Sequence, residues 1–150
     1  LVQFAEKFKK TQDKPLSLTI ENGSDPIYVQ INQGQMEQLM TNLCENGIRY
    51  SEKATGTPSV VLKLGTSSTT QLRYLDVIDH GEGISEENMD TLFEPFFTTE
   101  ATGTGLGLYI CKEICDANQM QISYHRKTER EGKQESCFRI SFPEKEIELI

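Results

Sequence analysis

The sequence has no run of apolar residues approaching the roughly 18 that a membrane span needs. Its opening, "LVQFAEKFKK", lacks the apolar core and small residues of a secretory leader. Nothing in this stretch is expected to target or span a membrane. Cysteine is sparse, with Cys44, Cys111, Cys115 and Cys137 scattered, and Cys111 and Cys115 have no histidine beside them to complete a metal set. They read as reduced core cysteines of a cytosolic domain. Basic residues are outnumbered, 15 against 23 acidic ones, for a net charge of −8. That balance argues against a general nucleic-acid surface, because phosphate backbones are held mainly by Lys and Arg. An anionic ligand would have to be held by local features. No internal repeat or low-complexity segment occurs, and neither G-x-G-x-x-G nor G-x-x-x-x-G-K-[ST] is present, so the Rossmann and P-loop readings fail on spacing.

What is present is enough for one domain: 150 residues, 36% hydrophobic and 25% charged, a chain long enough for a single core. Leu1, Phe4 and Phe8 stand at helical spacing and look like the tail of a longer helix. "PLSLTIE" and "PIYVQIN" read as strands separated by the turn "NGSD". From Gln35 to Tyr50 the set Met36, Leu39, Met40, Leu43 and Gly47 keeps one helical face, followed by an "EKATGTP" loop. Strands are expected over Ser59–Leu64, Gln71–Asp79, Gln121–His125 and Ser136–Phe142, with a Gly-punctuated loop and a short helix before "EPFFTTEATGTGLGL" and a long helix over about Gly105–Ala117. Elements cluster without strict alternation. The expected fold is therefore α+β, a two-layer sandwich with helices on one face of a mixed sheet.

Three stretches carry chemistry. In "QLMTNLCENGIRYS", Asn42 and Asn46 fall within about 40° of each other on the helix, Arg49 and Tyr50 continue the stripe, and Glu45 points away toward solvent. Amide oxygens are hard ligands suited to Mg²⁺ and do not repel a triphosphate; the alternative is a pair of solvated helix residues. In "YLDVIDHGEGI", alternation puts Leu75, Val77 and Asp79 on one strand face, so a carboxylate ends a core row and needs a partner. A protein cation or a purine exocyclic amine would serve, with Gly81 and Gly83 letting backbone approach a flat ring; a plain strand-end turn is the alternative. In "EPFFTTEATGTGLGL", glycines precede a helix whose N-terminal amides and dipole favour an anion. That feature answers the charge problem without a basic patch.

In this order the three stretches resemble the catalytic and ATP-binding domain of bacterial sensor histidine kinases, within the superfamily shared with gyrase, Hsp90 and MutL. "NLCENGIRYS" is similar to that family's N box, "DHGEGI" to its first glycine box, "FEPFF" to its F box and "GTGLGL" to its second glycine box. The likeness runs over roughly Ile20 to Pro143. It implies a Bergerat-type sandwich with an ATP lid, holding ATP and Mg²⁺. By resemblance Asn46 is the principal metal asparagine and Asn42 a second contact to metal or phosphates. Arg49 lies near the phosphates and Tyr50 packs by the nucleotide. Asp79 accepts from the adenine amine, with Gly81, Gly83 and Ile84 along the base. Phe97, Thr98, Thr99, Gly103, Thr104, Gly105, Leu106, Gly107 and Leu108 belong to the lid and its phosphate-facing turn, anchored at its other end by Phe93, Phe96 and Phe97, for which plain core packing is the alternative and a compatible reading.

The resemblance further implies transfer of the γ-phosphoryl to a histidine on an upstream dimerisation hairpin outside this chain, since neither His80 nor His125 stands in the acceptor's context. Residues 1–14 would then be the end of that hairpin and a linker, 15–145 the catalytic domain and 146–150 a tail. A cognate response regulator, a homodimeric full-length protein and a cytoplasmic position follow, the longer protein being open to an inner-membrane anchor. The short lid and the stretches "NGIRYS" and "CDANQMQISYHR" lean toward the nitrogen-regulation and type IV pilus sensor kinases. Three departures stand out: Glu100 where a lid Lys is common, His80 for Asn or Asp, and "NQM" at Asn118–Met120 for a glycine pair. Two other readings remain: an ATP-hydrolysing clamp, whose general-base Glu is here Gln38, and a non-catalytic nucleotide-binding or interaction module.

Overall fold

A computed structural model of the protein describes residues 1–12, 16–22, 27–97, 105–128 and 134–144. Their elements in chain order are α1 (Val2–Lys10), β1 (Ser17–Asn22), α2 (Gln33–Thr55), β2 (Ser59–Thr66), β3 (Arg73–Asp79), α3 (Glu86–Met89), α4 (Gly107–Ala117), β4 (Gln121–Thr128) and β5 (Gln134–Ser141). The strands form one sheet in the order β1-β2-β3-β5-β4, with β1 parallel to β2 and every other pair antiparallel. α2 lies across β2 and β3, and α4 packs beside α2 and over β4. This is the expected α+β sandwich with a mixed sheet. Among the described residues, no helix is long and apolar enough to cross a membrane.

The core follows from the two periodicities. Val60 and Leu62 of β2, Leu75 and Val77 of β3, and Phe138 and Ile140 of β5 alternate inward, against Leu39, Met40, Leu43 and Cys44 of α2 and Cys111, Ile114 and Cys115 of α4. Burial pushes the Cys44 and Cys111 thiols up to about 12, so they behave as small apolar side chains. α1 contributes Ala5 and Phe8, the latter stacked on Phe4 with ring centroids 5.6 Å apart.

Two segments differ from the sequence expectation. Residues 27–32 of "PIYVQIN" form no strand: Ile27, Val29 and Ile31 rest on the core while Tyr28 and Gln30 stay exposed. The alternation reports burial of one side of an extended segment, which needs no strand partner. α2, for its part, runs beyond Tyr50 into the stretch expected as a loop. It begins where the Asn32 side chain accepts from Gln35 N–H at 3.2 Å. It stops only at Gly56, whose φ of +80° is the left-handed cap that glycine adopts without cost, its N–H donating to Glu52 O at 2.8 Å. Its last turn is polar, so hydrophobic periodicity could not reveal it.

Candidate functional site

The site is built around the middle of α2. Asn42, Asn46, Arg49 and Tyr50 follow one another along it, with Asn46 buried at 7% exposure, Asn42 and Tyr50 half-buried, and Arg49 and Glu45 exposed. Arg49 Nη2 donates to Asn46 Oδ1 at 3.0 Å, whereas Asn46 Nδ2 is buried without a hydrogen-bond partner. A buried orphan donor is costly. It marks a position where a polar group from elsewhere would complete the site.

β3 delivers Asp79 to the same place. The last inward residue of its strand, it is 2% exposed and lies against Gly47, where an added Cβ would meet Asp79 Cβ at 3.4 Å. Its Oδ1 accepts from Gly81 N–H at 2.8 Å, and among the described residues no cation pairs with it. Burial pushes the carboxyl from an ordinary 3.8 up to about 7, with the Gly81 N–H pulling the other way. Gly81 is required by close approach: a Cβ would stand 2.7 Å from Tyr50 Cβ and 2.9 Å from Asp79 Oδ1. Gly83 lies against Arg126 and Ser136, and Ile84 is buried in the core.

α4 brings the third wall. Asn118 Nδ2 donates to Gln35 Oε1 at 3.1 Å, and one segment earlier on α4 the Cys111 thiol lies by Leu39 O at 3.9 Å and takes a hydrogen bond from Asn42. The two helices therefore run antiparallel. One further turn along each brings Gly107, the N-terminus of α4, to the stretch of α2 that holds Leu43 and Asn46. At that end Ile110 N–H donates to Leu106 O at 2.9 Å, and the N–H groups of a helix's first turn have no partner within the helix. An added Cβ at Gly107 would meet none of the described residues within 4 Å, which leaves space among them for an anion. The helix starts at Gly107 and not at Gly105, because Gly105 has φ +72°.

Phe96 and Gly105 form a neck. Phe96 N–H donates to Gly105 O at 2.9 Å, and a Cβ on Gly105 would fall 2.4 Å from the Phe96 carbonyl carbon. Phe93 packs edge-on to Phe138 at 6.2 Å, Phe97 rests on the core and Phe96 is 73% exposed. Leu106 and Leu108 are half-buried beside the neck. Thr98, Thr99, Glu100, Gly103 and Thr104 lie outside the described residues.

Two serines went unnoticed in the sequence. Ser51 is fully buried and its Oγ accepts from His80 N–H at 3.0 Å, fixing the loop after Asp79 to α2. Ser136 pairs directly with Asp79 across β3 and β5, on the same sheet face, and its Oγ is buried without a partner. Both stand where an apolar residue was due: Ser51 four after Gly47, Ser136 two before Phe138. That polar interruption of a core row was the available signal.

The orphan amide of Asn46, the orphan hydroxyl of Ser136 and the uncompensated Asp79 converge on one region, and they suit a ligand with a purine-like donor–acceptor edge and an anionic tail. For a divalent cation the set offers neutral amide oxygens. Among the described residues no cluster of three His, Cys, Asp or Glu side chains exists to hold a metal alone.

Comparison with known proteins places these features. The chain is 39% identical over 142 residues to the sensor protein kinase PilS of Pseudomonas aeruginosa, covering 95% of this chain and 26% of PilS. It thus spans about a quarter of that relative's length. The catalytic domain of the histidine kinase ThkA superposes with a TM-score of 0.64 at 29% identity, over 93% of this chain and 86% of that one. The Acinetobacter baumannii histidine kinase AdeS gives 0.67 at 27%, over 94% and 63%. Residues 31–146, which carry every wall of the site, match the family model for histidine kinase-, DNA gyrase B- and HSP90-like ATPases, and the chain belongs to that family.

Proposed function

We propose that this chain is the ATP-binding catalytic module of a sensor histidine kinase, passing the γ-phosphoryl of ATP to a histidine outside it. The observation that carries the reading is Asp79: a buried carboxylate with one backbone partner and, among the described residues, no cation, beside a glycine whose side chain would fill the adjoining space. An adenine amine donates to such an acceptor and stabilises its ionised form. The Ser136 hydroxyl across the strand pair offers a second polar group to the same edge of the ring.

Asn46, with Asn42 along the same helix, would hold Mg²⁺ through amide oxygens shared with phosphate oxygens. The cation supplies neutralisation of the phosphate charge. Arg49 reaches Asn46 from solvent, so it is free to turn toward phosphate when the amide oxygen is taken. The amides at the N-terminus of α4 cradle the chain of phosphates. Phosphoryl transfer asks mainly for such positioning and electrostatic stabilisation. Thr98, Thr99, Gly103 and Thr104 belong to the lid that shields the phosphates, with Glu100 as an acid within it.

The phosphoacceptor lies elsewhere: His80 approaches Glu135 at 3.9 Å and His125 bonds Ser123 at 2.9 Å, each engaged locally. In this reading residues 1–14 end an upstream dimerising hairpin, 15–145 form the catalytic domain, 146–150 a tail, and the phosphoryl group passes on to a response regulator. The full-length protein is a homodimer, and this domain works on ATP on the cytoplasmic side whether or not the longer protein carries an inner-membrane anchor. An ATP-hydrolysing clamp is disfavoured by Gln38, an exposed amide that makes a poor general base. The test is Mg²⁺-dependent transfer of label from γ-labelled ATP to the native upstream hairpin, with Asn46→Asp and Asp79→Asn as comparisons. Transfer is expected from the parent and lost in both variants. Undiminished transfer by both would overturn the reading, as would steady ATP hydrolysis by the isolated chain without transfer.

A further inference from the structure

The loop that leaves Asp79 is held at its far end by β4, in a way nothing in the site's chemistry requires. Both backbone polar groups of Ile84 are taken by side chains of that strand: its N–H donates to Tyr124 Oη at 2.8 Å, and its C=O accepts from Arg126 Nη1 at 3.4 Å. Tyr124 and Arg126 stand two apart and so project from one face. Between them and Asp79 lies Gly83, with φ +83°, where a Cβ would come 2.7 Å from Arg126 Nε. The guanidinium thus rests against the α-carbon of the glycine.

Ile84 is 4% exposed, and among the described residues β4 forms ladder bonds with β5 alone and no strand supplies a partner for the Ile84 amide. The tyrosine hydroxyl takes that place. Its ring is fixed in turn, 5.0 Å from Phe138, and Phe138 meets Phe93 at 6.2 Å. The segment from Ile84 to Phe93 is therefore pinned at its start by a hydroxyl and at its end by a ring, both mounted on the same pair of strands. Four bonds then set the path from Asp79 to Ile84: Asp79 to Gly81, Ser51 to His80, and Tyr124 and Arg126 to Ile84.

We infer that Tyr124 is a positioning residue for base recognition, its hydroxyl setting where the Gly81–Gly83 wall stands relative to Asp79, with Arg126 bracing the peptide that follows. The inference rests on the reading of Asp79 as the adenine acceptor. Tyr124→Phe keeps the ring packing and removes only the hydroxyl, leaving the Ile84 amide unpaired.

The experiment measures affinity of the 150-residue chain for Mg-ATP and for inorganic tripolyphosphate with Mg²⁺, for the parent, Tyr124→Phe, Arg126→Met and Asp79→Asn. Tyr124→Phe is expected to weaken ATP roughly three- to tenfold, the scale of one neutral hydrogen bond. Tripolyphosphate affinity should stay unchanged, because the loop faces the base alone. Arg126→Met is expected to shift the same ratio in the same direction by less. Amide exchange at Ile84 should quicken in nucleotide-free Tyr124→Phe, which ties the effect to that peptide. Unchanged ATP affinity in Tyr124→Phe, with a loss in Asp79→Asn, overturns the positioning role alone. Equal weakening of ATP and tripolyphosphate also overturns it, since a general loosening would do that. Unchanged ATP affinity in Asp79→Asn removes the base reading, and the positioning role with it.

Discussion

Asp76 and Asp79 lie three residues apart on β3, and both are buried, at 4% and 2% exposure. Asp76 points to the sheet face away from the helices, where Arg139 of β5 grips it through Nε and Nη2 at 2.8 and 2.9 Å. The guanidinium is itself seated 3.7 Å from the centre of the Tyr74 ring, and its bond to Asp76 raises its pKa. Asp79 points to the helix face and receives one backbone N–H. A carboxylate completed from within the chain is architecture. One left short, at the junction of three walls, is a place where another molecule completes the set.

The contrast is broken most forcefully from the structural side. Arg139→Ala should destabilise the fold by about 3 kcal/mol, because it strands a buried carboxylate, while ATP affinity stays near the parent's once the protein is folded. Chemical denaturation together with nucleotide titration checks both halves. Asp76→Leu combined with Arg139→Met should recover most of that loss, since a buried pair replaced as a unit costs little.

From the other side, Asp79→Asn should weaken ATP roughly 10- to 100-fold without lowering stability. Between an unfolded value of 3.8 and a folded value of about 7, the folded state holds the Asp79 proton more tightly than the unfolded chain does. Its contribution to stability is therefore complete below the lower value and is lost as pH rises through the upper one. Thermal melts of the nucleotide-free chain from pH 4 to pH 8 should show the parent falling away from Asp79→Asn toward alkaline pH, and saturating ATP should narrow the gap. Parallel melting curves would contradict the buried, uncompensated state of Asp79.

Gly81→Ala is a smaller perturbation of the same wall. Its Cβ would press on Tyr50 Cβ and Asp79 Oδ1, at a cost of about 1–2 kcal/mol, and ATP affinity should fall with little change in the affinity for tripolyphosphate. Calorimetric titration with both ligands reads the difference.

How far the sequence could be read follows from the range of the forces involved. Local periodicity revealed α2 and α4, and alternation placed Asp79 at the end of a core row, because burial is written residue by residue. The strand expected over residues 27–32 failed for the same reason, since its alternation records burial while a strand also needs an edge to pair with. The last turn of α2 was missed because its residues are polar, although Gly56 marked the stop. The tie between Asp76 and Arg139, 63 residues apart, had no local trace. Nor did the hydroxyl of Tyr124, 40 residues from the amide it serves. Bringing the N-terminus of α4 to the stretch of α2 that holds Asn46 needed the antiparallel packing of two helices, which no single stretch encodes.

The neck between Phe96 and Gly105 has a consequence for how this domain tolerates change. It brings together the two ends of a span of seven residues, 98–104, before that span begins. Lengthening a closed loop costs only about 0.6 kcal/mol per doubling, and here the closure is already made by a backbone bond and a glycine with no side chain to obstruct it. The span is thus a cassette, exchangeable for longer or shorter pieces while the start of α4 and the aromatic anchor stay in register.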